Sequence, residues 1–315
     1  MRQCAVENRR AVVIMSGGDA VSPFTTPDQA CATGLAAGNT DTAMRSHLLA
    51  QGYRVFTAPA MNARTEVRDP APDSFGAFGG MPVVLPSHLT VNSLGDIDAA
   101  GEHLARFIGY LHAEYGVDEV DWIGHSNGGL FARAATRVLQ ETGAPVTVRS
   151  LTTLGTPWLG SVPLRYLAGE ITMADAGGDP IIESLFKGLA QHAAQADLGL
   201  VRENTEHYLG GPGGWNAAQE GVLAGIPVLM VAGTHFDRYP GDPTVWPLDG
   251  LVSRYSALAM AVSVNVLPEY RRLEFPVTHS IFICDVAGLA WETGMTWNPE
   301  VLAAVSDFLA EVAPK

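Results

Sequence analysis

The sequence predicts an α/β protein with a mainly parallel central sheet covered by helices on both faces. Three observations carry that expectation. Short β-branched and apolar runs recur along the 315 residues. Amphipathic runs of helical spacing separate most of them. Gly, Pro, Asp and Asn punctuate the junctions. Strands that alternate with helices are joined by crossovers, and the crossovers cover both faces of a parallel sheet.

Residues 11–15, AVVIM, form a β-branched run ending in Ser-Gly-Gly, a strand followed by a turn. Residues 53–59 read the same way. Residues 17–43 are rich in Gly, Thr, Asp and Pro, so they are mostly loop. A helix begins near Asp41 and ends before Gly52. Residues 62–93 are again loop-like. From Asp96 onward Ile97, Leu104, Ile108, Leu111 and Tyr115 recur at helical spacing, and Gly116 stops the run. A strand over 117–124 and a helix over 127–143 follow, then a strand over 146–155.

After residue 157 the alternation breaks down. Residues 158–225 are rich in Gly and Pro. They hold one amphipathic run: Ile182, Leu185, Phe186, Leu189, Ala193 and Ala196. Strands resume at 226–233. Residues 251–262 read as helix, 272–283 contain a strand, and 299–312 form a closing amphipathic helix. There is no internal repeat. The expected organisation is a core of 1–157 and 226–315, with 158–225 as a cap or lid insertion.

Composition bounds the function. Apolar residues make up 47% and charged residues 17%, enough for a sizeable core. Nineteen basic and 33 acidic residues give a net charge of −14. No basic footprint for nucleic acid is visible. No stretch approaches the roughly 20 apolar residues that span a bilayer. The N-terminal residues lack a long apolar run with a small-residue cleavage site, so the expectation is a cytoplasmic protein, or a secreted one whose leader is already gone. Cys4, Cys31 and Cys284 are too few for a disulfide scaffold or zinc ribbon. A Cys4–Cys31 bridge is one pairing they permit.

Gly124-His125-Ser126-Asn127-Gly128 fits G-x-S-x-G between a strand and a helix. A strand turning this sharply into a helix strains the serine backbone. Its neighbours two residues away must lack side chains. The strain lifts the hydroxyl out of the sheet as a nucleophile. A packing turn rich in glycine is the bland alternative, and the strand–helix setting argues against it.

A serine hydroxyl needs a base, usually a histidine oriented by a carboxylate. In this arrangement the chain order is Ser, acid, His. Four histidines follow Ser126. His192 lies in the amphipathic run, His207 in the irregular insertion, and His235 just past the strand 226–233. His279, in FPVTHSIFI, follows the last core strand in a turn-like setting and is the expected base. Among the acids Asp237, Asp242 and Asp249, the Asp-Gly turn of Asp249 leading into a helix fits best, with Asp237 next. Oxyanion donors are expected from the Asn127 amide and from the loop after the first strand, at Gly18 with Gly17 in reserve.

These pieces resemble the α/β-hydrolases, and within them bacterial triacylglycerol lipases and related esterases. The matching segments are IGHSNGG, LTTLGTPWLGS, LDGLVSRYSA and THSIFI, in the expected order. Two departures stand out. Ser16-Gly17 occupies the place of a common His-Gly, and Trp158 that of a common His after Gly-Thr-Pro. The resemblance implies a carboxylic-ester hydrolase acting on apolar acyl esters or lipids through Ser126, Asp249 and His279, without a cofactor. Some such relatives hold calcium or zinc, but no metal-ligand spacing is present, so no metal is expected. An acyltransferase or thioesterase would use the same triad. A non-catalytic binding protein of the same fold would be expected to lose part of it. The stripe Ile182, Leu185, Phe186 and Leu189 either packs into the core or lines an acyl pocket. On the second reading Phe186, Leu189 and Trp158 contact substrate.

Overall fold

A computed structural model describes residues 9–28, 39–71, 74, 83–193, 198–238 and 240–312. Six strands form one parallel sheet: β1 (Arg10–Met15), β2 (Val55–Thr57), β3 (Glu119–His125), β4 (Thr147–Leu154), β5 (Val228–Gly233) and β6 (Tyr270–Phe275). Their order across the sheet is β2-β1-β3-β4-β5-β6. The chain therefore moves outward from β1 to β2, then returns to the other side of β1 for β3. That reversal opens a crevice beyond the C-terminal ends of β1 and β3, where ligands bind in open α/β sheets.

Three helices, α1 (Thr42–Ala50), α2 (Ile97–Tyr115) and α3 (Gly128–Glu141), accompany the first strands. Between β4 and β5 come α4 (Val162–Leu167), α5 (Pro180–Ala193), α6 (Gly199–Glu203), α7 (Glu206–Gly210) and α8 (Trp215–Ala218). Then follow α9 (Arg254–Ala257), α10 (Ile281–Ala287) and α11 (Pro299–Glu311). No helix among the described residues is long and apolar enough to cross a membrane.

The period-2 side-chain alternation of a strand sets the two layers. Val12 and Ile14 of β1 join one buried cluster with Met44 and Leu48 of α1 and Val305 of α11. Ala11, Val13 and Met15 join the opposite cluster with Leu104 of α2 and Leu130 and Phe131 of α3. Both faces of the sheet are covered, which is why its strands read as nearly continuous apolar runs.

Three expectations shift. The 53–59 strand shortens to β2, whose last residue, Thr57, also bridges Thr25 antiparallel. The loop-like 62–93 region ends in a two-residue strand, Val91–Asn92, parallel to Ala60–Met61. The helix read over 251–262 contracts to α9. Asp249 Oδ1 accepts from the backbone of Leu251 and Val252 and holds them in a turn. Ser253 then caps Ser256, and Ala259 takes a left-handed φ of 50° that ends the run. The Cys4–Cys31 pairing lies outside the described residues; Cys284 is buried and free.

The junction of β1, β3 and α3 is the tightest place in the fold. A Cβ on Gly128 would lie 2.1 Å from the Met15 carbonyl oxygen. Gly128→Ala should therefore destabilise by about 1–3 kcal/mol through forced backbone shifts. Gly109, on the exposed side of helix α2 with nothing near its missing Cβ, is the contrast. Gly109→Ala should stabilise by about 0.5–1 kcal/mol. Thermal melts of the two variants check the opposite signs.

Candidate active site

Ser126 sits at the end of β3 with a φ of 55°. Such a backbone in a non-glycine residue costs about 1–3 kcal/mol and persists only where its surroundings enforce it. Here they do. The Ser126 N–H donates to the Leu154 carbonyl at 2.8 Å, anchoring the turn to β4. A Cβ on Gly124 would lie 2.4 Å from Gly129, so only glycine lets strand and helix fold back this closely.

β1 is paired in register with β3, with Met15 opposite Gly124. The Ser16-Gly17-Gly18 loop therefore leaves the sheet beside Ser126. A Cβ on Gly17 would lie 2.4 Å from Ser126 Cβ and 3.0 Å from its Oγ. Among the described residues, the backbone N–H groups of Gly17, Gly18 and Asn127 donate to no acceptor. The Asn127 N–H also lies at the positive end of α3. Its buried side chain is held by Asn204 of the insertion, whose Nδ2 donates to Asn127 Oδ1 at 2.5 Å.

His279 and Asp249 form a buried pair. Nδ1 lies 2.8 Å from Asp249 Oδ2, with side-chain exposures of 3% and 0%. The other carboxylate oxygen accepts from Leu251 N at 2.9 Å and Val252 N at 2.7 Å. The His279 N–H donates to the Asp249 carbonyl at 2.8 Å, so backbone as well as side chain fixes the pair. Asp237 is exposed, on the loop after β5. His235 packs against Phe236, the His207 N–H bonds Glu170, and the side chain of His192 lies outside the described residues. Ser126 and His279 line one cavity. No hydrogen bond joins them; in free enzymes this contact is often long and tightens with substrate.

His125, inside the serine motif, packs directly against His279. It is buried, its ring lies 4.9 Å from that of His279, and its Nε2 lies 2.8 Å from the His279 carbonyl. Burial, helped by the neighbouring His279, pushes its pKa down to about 3. A neutral ring can meet a carbonyl only as an N–H donor, which fixes the tautomer with the proton on Nε2. Behind the glycine loop, the Ser16 hydroxyl bonds Asp41 and lies 2.9 Å from the Ser22 hydroxyl. Burial pushes Asp41 up to about 6, against the lowering influence of Ser16 and Arg45.

Two cavities meet at Ser126. One, of about 210 Å³, is lined by Asn127, Leu164, Leu200 and Val201 among others. The other, of about 750 Å³, is lined by Gly17, His279, Leu185 and Phe282 among others. Gly18, Leu189 and Leu251 belong to both. Leu189 thus lines both cavities. Trp158 and Phe186 do not, and the expectation that they contact substrate is corrected.

Trp158 is fully buried in the core, its ring 4.0 Å from the Arg133 guanidinium and its Nε1 bonded to Thr153. Trp215 covers Arg133 at 4.7 Å, and burial lowers the Arg133 pKa to about 9. Phe186 is fully buried against Tyr166 in a separate cluster with Val162, Trp246 and Ile283. The stripe is split: Phe186 turns inward while Leu185 and Leu189 border the cavities. Within 158–225, Leu209, Trp215 and Leu223 pack in the same cluster as the main sheet.

Sequence reasoning missed His125, Asn204, Asp41 and Ser16. His125 had a signal, its place inside the serine motif. Asn204 had none. Among the described residues no group of three His, Cys, Asp or Glu is placed to hold a metal ion.

The family described as "Putative serine esterase (DUF676)" matches residues 82–168, a stretch that includes Ser126 but neither Asp249 nor His279. No curated protein matches the chain by sequence. Among solved structures, the lipase BlEst2 of Bacillus licheniformis is similar in two forms. Its propeptide form is 14% identical with a TM-score of 0.53 over 98% of this chain and 51% of that one, so the chain spans about half its length. Its mature form is 13% identical with a TM-score of 0.52, over 96% and 92%. The likeness is one of fold: the chain has the α/β-hydrolase fold.

Two outcomes follow from the buried groups. Between pH about 4 and 6 the folded state holds a proton on Asp41 that the unfolded chain releases, so stability falls as pH rises through that window. Asp41→Asn removes this loss, and the variant should gain on the parent by up to roughly 3 kcal/mol between pH 4 and 7. His125 has the opposite sign. Its depressed pKa makes stability fall as pH drops from about 6.5 toward 3, and His125→Gln should soften that acid-side loss. Urea midpoints across pH check both. Phe186→Ala should lower the melting temperature, at a cost of about 3–5 kcal/mol.

Proposed function

We propose that the chain hydrolyses carboxylic esters through a covalent acyl-enzyme formed on Ser126. The observation that carries this reading is His279, paired with the buried Asp249 and lining one cavity with a serine held at left-handed φ. The esterase description of the family matching 82–168, and the lipase named among the similar structures, support it.

Asp249 accepts the Nδ1–H of His279, leaving Nε2 unprotonated as the base. Ser126 Oγ attacks the ester carbonyl carbon and its proton passes to Nε2. A new Oγ–C bond forms and the carbonyl electrons move onto oxygen. The oxyanion meets the unpartnered N–H groups of Asn127 and of Gly17 or Gly18, donors already oriented before reaction. The C–O bond to the alcohol then breaks, and the imidazolium returns its proton to the departing oxygen. Water, deprotonated by Nε2, adds to the acyl-enzyme and releases the acid. Asp249 accepts from two backbone donors and faces the imidazole, which holds the ring in place. The segment 158–225 acts as a cap whose residues near Leu164, Leu189 and Leu200 wall the site.

Ser126→Ala should abolish turnover on p-nitrophenyl esters, a loss of about 10⁶ in kcat, while the protein stays folded. Asp249→Asn should cost on the order of 10⁴, and Asp237→Asn should leave activity near that of the parent. Labelling of Ser126 by a fluorophosphonate, lost in Ser126→Ala, provides an independent reading. Activity above a few per cent in folded Ser126→Ala contradicts the mechanism.

A further inference from the structure

We infer that the two cavities divide the substrate by size. The smaller one takes the acyl group, and the larger one takes a bulky apolar alcohol. The inference rests on the hydrolase reading above and names its substrate class: esters of short or medium acids with large alcohols.

The tetrahedral carbon fixes the division. It carries Ser126 Oγ, the oxyanion, the acyl chain and the leaving oxygen. The leaving oxygen must lie within reach of the imidazole, because His279 gives it the proton. His279 borders the cavity of about 750 Å³ and not the smaller one. The alcohol is thereby directed into the larger space. The acyl chain is left with the cavity of about 210 Å³, on the Asn127 side.

The linings agree with the sizes. Leu164, Leu198, Leu200, Val201 and Val252 give the smaller cavity an apolar wall that suits a hydrocarbon chain, with Asp19, Asn62 and Arg64 as polar groups in the same lining. An apolar cavity of about 150 Å³ holds benzene, so this one accommodates an acyl group of about eight carbons by simple scaling. The larger cavity carries two apolar side chains that the free protein leaves in water. Phe282 and Val286 are 57% and 44% exposed, one turn apart on α10, directly after His279-Ser280. They lie where the leaving alcohol must be, and an alcohol with apolar bulk covers them. A small alcohol leaves them wet and contributes no binding there.

The test separates the two arms. Acyl length is varied from acetate to palmitate on p-nitrophenol. Alcohol bulk is varied on butyrate with ethanol and 3-phenylpropanol, whose hydroxyls are of similar acidity. The expected result is a fall of at least tenfold in kcat/KM between octanoate and palmitate, and a gain of at least tenfold for the phenylpropyl over the ethyl ester. One missing apolar contact is worth about 10–200-fold in such ratios.

Leu200→Trp should move the acyl cut-off to shorter chains and leave the alcohol ratio unchanged. Val201→Phe gives the same reading should the tryptophan variant not fold. Phe282→Ala should lower the alcohol ratio about tenfold and leave the acyl cut-off in place. Palmitate turned over as well as octanoate, no gain from the larger alcohol, or the two variants exchanging their effects each overturn the assignment. Fluorophosphonate labelling of Ser126 with turnover but no such split overturns this inference alone. No labelling and no turnover on any ester overturn the hydrolase reading and this inference with it.

Discussion

The close approach of β1, β3 and α3 is the constraint on which the site depends. Three backbones converge within van der Waals contact, and glycine is what lets them: Gly17 against Ser126, Gly124 against Gly129, and Gly128 against the Met15 carbonyl. The convergence holds Ser126 in a backbone region it would otherwise leave. It also sets the Gly17-Gly18 loop against Ser126 and the Asn127 side chain, and among the described residues the N–H groups of Gly17, Gly18 and Asn127 donate to no acceptor. The strained Ser126 backbone and the glycine loop beside it are thus consequences of one packing event. The strand order puts that event at the reversal point of the sheet, so the crevice above it is open to a ligand.

The His279–Asp249 pair meets a different constraint, that of keeping a carboxylate away from water. A buried carboxylate is costly unless its lone pairs are satisfied. Asp249 meets the requirement with three donors, two from its own turn and one from His279. The same turn prevents the following residues from starting a helix, which is why α9 is only four residues long. His125 meets the requirement the opposite way, staying neutral and donating to the His279 carbonyl. On the proposed mechanism His279 takes the serine proton, while burial keeps its neighbour His125 neutral.

The parts of the site legible in the sequence were those that geometry ties to local pattern. The glycines around Ser126, the Asp-Gly turn at 249 and the histidine past the last strand each have a short-range physical cause. The parallel sheet was legible for the same reason, since two-sided burial writes continuous apolar runs. Trp158 and Phe186 misled because an apolar side chain near a site reads the same whether it faces the ligand or the core. For Phe186 the period pointed to one stripe, yet a helix stripe is wide enough to be shared between two environments. Phe186 and Leu189 are three residues apart and separate at that boundary. Asn204 and Asp41 act across 77 and 25 residues of chain, on Asn127 and Ser16, and no local pattern announces a contact of that span.

The cap is tied to the chemistry through its own core. Phe186 of α5 shares a buried cluster with Trp246 and Leu248, immediately before Asp249, and with Ile283 of α10, just after His279. The segment walling the cavities therefore packs on both chain stretches that present the acid and the base. A packed core is bistable and not freely deformable, so displacement of α5 would carry strain to the Asp249 turn. On the proposed mechanism, substrate selection and proton transfer are consequently coupled. Leu251 and Val252, which line the smaller cavity, also donate their N–H groups to the Asp249 carboxylate beside His279.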